Sequence, residues 1–265
     1  MPPSVRSDRD RVLNVLPSRD PDRDWTTATA EAAEVLAAPA AALPASVDLR
    51  EDWWTIGDQG QTGSCVGWAS ADSLLRWHFV KAGRLGRRSR LSVRFQWMAS
   101  KEIDIFRHRP TSFVEIAGTS LKSALDVSRR WGALRDADLP FGQAGLWRGA
   151  EDELYARASS LKIASYYSLG VDLTAWRRWL AQHGPIMVRL DVDDAFYDAA
   201  ATSGVLTRYN SALTYGGHAV ALVGYTSRRF VVRNSWGTSW GDGGFAYATN
   251  AYARSAFTEA YGVVV

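Results

Sequence analysis

Residues 58–65 read DQGQTGSC, and the chain runs on as VGWASADSLLRWHFVKAG to Gly83. From Val66 onward, Val66, Ser70, Leu74 and Trp77 recur at a spacing of three to four, the period of a helix with one buried face. Gly83 suits the end of that helix. Ser64 reads as its N-cap, which puts Cys65 at the first helical position. A thiol there feels the positive end of the helix dipole, and that favours the reactive thiolate. Cys65 is also the single cysteine among 265 residues. Free cysteines often serve as small buried hydrophobes, so filler and nucleophile both stand at this point.

Composition narrows the classes. Hydrophobic residues make up 46% and charged residues 22% of the chain, the balance of a globular protein with one large domain or two lobes. Twelve Trp, ten Tyr and nine Phe supply a sizeable core and can line a cleft. One cysteine excludes an intramolecular disulfide, a CxxC pair and a Cys/His zinc set. The net charge is +3. The basic run GRRSRLSVR (86–94) reads as a solvated face, and no nucleic-acid partner is expected from so short a stripe. No run approaches the roughly 18 apolar residues of a membrane span. The polar start has no apolar core resembling a secretory signal. A reducing compartment such as the cytoplasm suits the chain, and export without a cleaved signal stays open.

Residues 1–25 are dense in Arg and Asp and hold several Pro, the pattern of an extended or mobile segment. The Ala-rich stretch from Thr26 predicts a helix to about Leu36, capped by Thr26 or Thr27, with Pro39 as its stop. After Pro44 the composition becomes that of a packed domain. The reading is an N-terminal extension or propeptide over 1–42 and a domain over 43–265. Helices are predicted over 120–132, 151–160 and 172–184. From Pro185 onward PIMVRLDV, GGHAVALVGY and RFVVRNSW read as strands. That order gives an α+β fold with a helical lobe at about 43–160 and a strand-rich lobe at about 161–265.

A thiolate nucleophile needs a base. His78 lies thirteen residues along the same helix, roughly 20 Å away at 1.5 Å per residue, out of reach. His108 sits in a charged loop, and His183 ends a helix, where it suits a carbonyl cap. His218 opens a strand behind Gly216 and Gly217, which leave room for another chain, although a satisfied core histidine is the bland alternative. Asn234 lies sixteen residues on. In a hairpin it falls two or three positions from the residue opposite His218. At two the side chains share a face; at three a bulge or odd-length turn is needed. Asn234 also reads simply as a strand end. Gln59 can donate two hydrogens, and the Cys65 N–H is unpaired at a helix start, so the two can serve a developing oxyanion.

These pieces resemble the papain family of cysteine peptidases, whose Cys–His–Asn arrangement is a standard variant of the catalytic triad. Gln59, Gly60, Gly63, Ser64 and Cys65 match the pattern Q-G-x-x-G-S-C. His218 to Tyr225 match H-A-V-x-x-V-G-Y. Asn234, Trp236, Trp240 and Gly244 match N-S-W-G-x-x-W-G-x-x-G. LPASVDLR (43–50) looks like the start of a mature enzyme of the family, and GTSLKSAL (118–125) like the segment lining its non-primed subsites. The resemblance covers about 43–265.

It implies a two-lobed papain-like fold, with a β-barrel-like second lobe and the active-site cleft between the lobes. Cys65 would be the nucleophile, His218 its ion-pair partner and proton donor, and Asn234 the orienter of the imidazole, shielded by Trp236. Gln59 and the Cys65 amide would form the oxyanion hole. Gly118, Thr119, Arg189, Gly217 and Trp236 would line the substrate path, the substrate would be a peptide or protein, and neither cofactor nor metal is implied. Residues 1–42 would act as an intramolecular inhibitor or as a permanent extension.

There are departures from the family pattern. Thr62 replaces a cysteine, so the family's local disulfide is absent, and Val66 replaces a frequent aromatic. Gly118-Thr119 replaces a double glycine, which would alter main-chain pairing with substrate. Arg189 aligns with a usually apolar position near the S2 pocket. Pointing inward, it would favour acidic or polar residues at P2, the second residue on the acyl side of the scissile bond. A thiol acyltransferase or specialised amidase on the same scaffold is the alternative activity, and a non-catalytic peptide-binding protein is a further one.

Overall fold

The computed structural model describes residues 7–37, 42–104, 118–142 and 149–265; Pro39 and His108 lie outside the described residues. The helical part comes first. A continuous central helix over 65–81 joins Cys65–Gly67, a π-helical stretch Trp68–Leu75 and Arg76–Lys81. Against it pack Val93–Asp104 and Leu121–Arg130, the latter capped by the Ser120 hydroxyl. Gly67 makes the close crossing: a Cβ there would stand 2.7 Å from the Val93 carbonyl and 2.8 Å from Trp97 Cβ. Glu151–Ala158 and Leu173–Gln182 complete the longer helices that the sequence predicts.

The strands are β1 (Val47–Asp48), β2 (Ser165–Ser168), β3 (Ile186–Val192), β4 (Val205–Leu206), β5 (Gly216–Tyr225), β6 (Arg229–Arg233), β7 (Phe245–Thr249) and β8 (Phe257–Val264). They form one sheet in the order β2-β8-β3-β5-β6-β7-β4, with β1 added on β5. The first lobe as read from sequence thus lends a short strand to the second. Both faces of the sheet are covered, which is why β3 and β5 read as near-continuous apolar runs. Ile186, Val188, Leu190, Val220 and Leu222 enter the core of the strand-rich lobe. Their alternates Met187 and Ala219 enter a second core shared with the central helix. The cleft-lining residues described below lie along that second face and at the start of β5.

A buried ionic seam ties the lobes behind the cleft. Asp72 of the central helix takes Arg76 at 3.2 Å and Arg233 of β6. Arg233 also donates to the carbonyls of Trp54 and Thr55, at 3.2 and 2.9 Å.

The extension departs from its reading. The helix capped by Thr26 stops at Ala32 rather than near Leu36, and Glu34 takes a positive φ of 56° in the turn that follows. Residues 7–25 follow the extended alternative of that reading and run over the domain with two short 3-10 turns. His183 does end the Leu173–Gln182 helix, but its Nε2 pairs with the Val35 carbonyl at 2.7 Å and not with its own helix. It therefore anchors the extension.

Candidate active site

Cys65 opens the central helix and is wholly buried. Ser64 holds the N-cap position, yet its hydroxyl makes no cap bond; it pairs with the Thr62 hydroxyl at 2.6 Å. The sulfur receives the backbone N–H of Ala219, the residue after His218, so the helix start and the start of β5 meet at the thiol.

His218 and Asn234 come together through a bulge. Near the hairpin turn Tyr225 pairs with Phe230 and Gly224 with Val231, a register that would leave Asn234 three positions off. The register shifts between Leu222 and Gly224, so that Ala221 pairs with Arg233. Continued to His218, this places Asn234 two residues off, on the shared face. The result is a buried bond of 2.8 Å between His218 Nε2 and Asn234 Oδ1. The Ser235 N–H also donates to Oδ1 at 2.8 Å, which fixes that atom as oxygen. Nε2 must therefore carry the hydrogen, and Nδ1 of the neutral ring is left as an acceptor, buried and without a partner among the described residues. Trp236 is fully buried, its ring 4.9 Å from that of His218.

The loop before the central helix is fastened to the same corner. Gln59 N–H donates to the Ser235 carbonyl at 2.9 Å, and Ser235 Oγ donates to Gln59 Oε1 at 2.9 Å. Gln59 Nε2 gives one hydrogen to the Thr62 carbonyl at 3.0 Å and keeps a second.

The extension runs through the cleft. Val15 N–H donates to the Gly217 carbonyl and Leu16 N–H to the Thr119 carbonyl, both at 3.1 Å. The Asn14 carbonyl presses on Gly118, where a Cβ would sit 1.6 Å from it. Val15 is buried in the same apolar cluster as Cys65. Arg11 clamps the other side: it pairs with Asp58 and donates to the carbonyls of Gly60 and Trp236, at 2.7 and 3.2 Å.

This cover sets the electrostatics. Burial pushes the Cys65 thiol up to about 11 against the N–H groups that would lower it. Burial holds His218 down to about 4, and the nearby Arg11 charge works in the same direction. The helix-start thiolate expected from sequence is thus a neutral thiol beside a neutral imidazole in this covered state, because desolvation outweighs the dipole.

Arg189 does face the cleft side, but its two terminal nitrogens are already taken within the chain, and only its buried Nε has no partner among the described residues. Its Nη1 donates to Thr258 Oγ1 at 2.7 Å and its Nη2 to Asp191 Oδ1 at 2.9 Å. The acidic partner expected from a substrate is supplied by Asp191. Sequence reasoning passed over Val15, Arg11, the Ala219 N–H and Glu259. For Glu259 a signal existed: it is the one charge inside the strand FTEAYGVV.

A family model described as papain family cysteine protease matches residues 43–261. Digestive cysteine proteinase 2 of Homarus americanus is 30% identical over 207 residues, covering 73% of this chain and 59% of its own. Cathepsin K of Mus musculus is 28% identical over 214 residues, covering 77% and 59%. The chain thus spans about six-tenths of the length of these curated relatives. Among solved structures, xylellain, a cysteine protease from Xylella fastidiosa, superposes with a TM-score of 0.78 at 20% identity over 97% of both chains. The proCathepsin B S9 of Trypanosoma congolense gives 0.68 at 17% identity, over 97% of this chain and 87% of that one. At these identities the structural likeness speaks for the fold alone.

Proposed function

The chain belongs to the papain family of cysteine proteases, and on that premise we propose that it is a cysteine peptidase that cleaves peptide bonds through Cys65, His218 and Asn234 and is held inactive by its own N-terminal segment. The observation that carries the reading is the free Nδ1 of His218, with Nε2–H committed to Asn234, on the residue whose successor's N–H touches the Cys65 sulfur.

The chemistry follows from that tautomer. His218 Nδ1 takes the thiol proton, and the sulfur bonds to the substrate carbonyl carbon while the C=O pair moves onto oxygen. The spare hydrogen of Gln59 Nε2 and the Cys65 N–H stabilise the oxyanion. The C–N bond then breaks, and the leaving amine takes the proton from Nδ1. A water attacks the thioester, giving a proton to Nδ1, and the C–S bond breaks to release the acid and restore the thiol. Asn234 keeps the ring in its tautomer, and Trp236 keeps water from that bond.

The extension opposes this in two ways. Its backbone occupies the Gly217 and Thr119 carbonyls that a substrate strand would use. It also dries the thiol and imidazole, so both stay neutral. The test uses the full chain with a protease site inserted between Ala37 and Ala42, before and after cutting, treated with an epoxide thiol reagent and read by mass spectrometry. Labelling of Cys65 at pH 7 should rise on cutting by about a hundredfold, since a thiol at about 11 leaves little thiolate at that pH. Its pH profile should shift from a high apparent pKa to a much lower one. Equal rates before and after cutting count against inhibition; no labelling in either state, with Cys65→Ala as the blank, counts against a peptidase.

A further inference from the structure

Gln59 owes its place to a short turn, and a hydroxyl closes that turn. Residues 59–62 fold back on themselves with Gly60 at a φ of 61°, in the left-handed region. Two groups of Thr62 meet the Gln59 carbonyl. The backbone N–H donates at a long 3.4 Å, and the hydroxyl Oγ1 donates at 2.7 Å. The hydroxyl is the firmer closure. In return, Gln59 Nε2 donates to the Thr62 carbonyl at 3.0 Å.

A second hydroxyl stands behind the first. Thr62 Oγ1 and Ser64 Oγ lie 2.6 Å apart. Thr62 has one hydroxyl hydrogen, and the Gln59 carbonyl takes it, so Ser64 is the donor in that pair. Ser64 to Thr62 to Gln59 is one directed run, in which each bond polarises the next. The same run accounts for the helix start without a side-chain cap. The Val66 N–H, which a capping Ser64 could take, points instead to the Cys65 sulfur.

The two hydrogens of an amide nitrogen lie in one plane, so pinning one aims the other. Ser235 Oγ holds Gln59 Oε1 at 2.9 Å, and the Thr62 carbonyl holds one hydrogen of Nε2. Resting on the oxyanion role given to Gln59 above, we propose that Thr62 is a positioning residue. Its hydroxyl, acting through the 59–62 turn, aims the remaining Nε2 hydrogen of Gln59 at the developing oxyanion. Thr62 stands where the family pattern has a disulfide cysteine, so in this chain a run of hydroxyls takes the place of a covalent tie. The brace matters most once the cleft is open. With the extension in place, Arg11 steadies the same loop through Asp58 and the Gly60 carbonyl. Those bonds leave with the extension, whereas the bonds of Thr62 lie within the domain and stay.

The experiment uses the cut full-length chain. It compares Thr62→Val, which keeps the branched shape without the hydroxyl, with Thr62→Ser, which keeps the hydroxyl. Two reactions are followed for each. One is hydrolysis of a peptide amide, read as kcat and KM. The other is alkylation of Cys65 by iodoacetamide, in which the sulfur displaces iodide and no oxyanion forms. Thr62→Val should lower kcat about tenfold, with KM and the alkylation rate within about twofold of wild type. Thr62→Ser should hold kcat within about threefold. In a Gln59→Ala background the effect of Thr62→Val on kcat should vanish, because nothing is left to position. An unchanged kcat in Thr62→Val overturns the proposal. So does an equal fall in alkylation, which marks damage to the thiol, and so does a tenfold effect that persists without Gln59. Thr62→Ala, read the same way, decides the matter if Thr62→Val folds poorly. Wild-type hydrolysis that Gln59→Ala leaves unchanged removes the oxyanion role and this proposal, while the peptidase reading stands. No hydrolysis and no labelling of Cys65 in the wild type overturns the peptidase reading and this proposal with it.

Discussion

Two sets of charges join the lobes of this protein, one behind the cleft and one across its mouth. Behind it, Asp72, Arg76 and Arg233 are sealed, with side chains at 8%, 3% and 0% exposure. Arg76 and Arg233 also donate to carbonyls of the 53–55 and 87–89 loops, while Arg233 Nε has no partner among the described residues. Across the mouth, Arg9 reaches Asp194 and Asp198, Arg11 reaches Asp8 and Asp58, and Lys122 reaches Asp24. Arg9 is about half exposed, at 48%. Water reaches the Arg9 pairs, whereas Arg11 at 11% and Asp24 at 2% are nearly as sealed as the rear seam. The rear pairs thus belong to the permanent frame, while the front pairs hold the extension and, on the function proposed above, form the clasp that its removal would open.

The contrast breaks most sharply at Asp72. Asp72→Ala strands two buried guanidinium groups, and a loss of about 3–5 kcal/mol is expected in denaturant unfolding. A loss below about 1 kcal/mol would place the seam with ordinary surface pairs. Arg11→Ala tests the clasp. It removes the pairing with Asp58 and the bonds to Gly60 and Trp236, so Cys65 labelling at pH 7 should quicken about tenfold in the uncut chain. Its thermal midpoint should stay within a few degrees of wild type; a large fall would make Arg11 part of the permanent frame. Arg9→Ala should do least, changing the labelling rate by no more than about twofold, and raised salt should erase even that.

Legibility in the sequence follows range. The central helix, its start at Cys65 and the strand runs after Pro185 rest on periodicity over a few residues, and they appear where the spacing puts them. The Ser64 hydroxyl turned instead to Thr62, a competition between neighbours that no period reveals. The offset of Asn234 from His218 was readable only as two or three, since a one-residue bulge leaves the count of apolar residues unchanged. Glu259 stood out as a lone charge in an apolar strand, but that its second oxygen is buried without a partner among the described residues depends on segments distant in the chain.

The sequence by itself determined which side chains exist to do chemistry, at what spacing along the chain, and on which kind of element. These are local properties, set by propensity and period. The tertiary structure alone decided that residues 13–16 lie over the thiol, that the thiol and imidazole are neutral beneath them, and that Asp191 rather than a substrate answers Arg189. Those outcomes come from desolvation and register. Both depend on segments distant in the chain, and neither is written at the residue it affects.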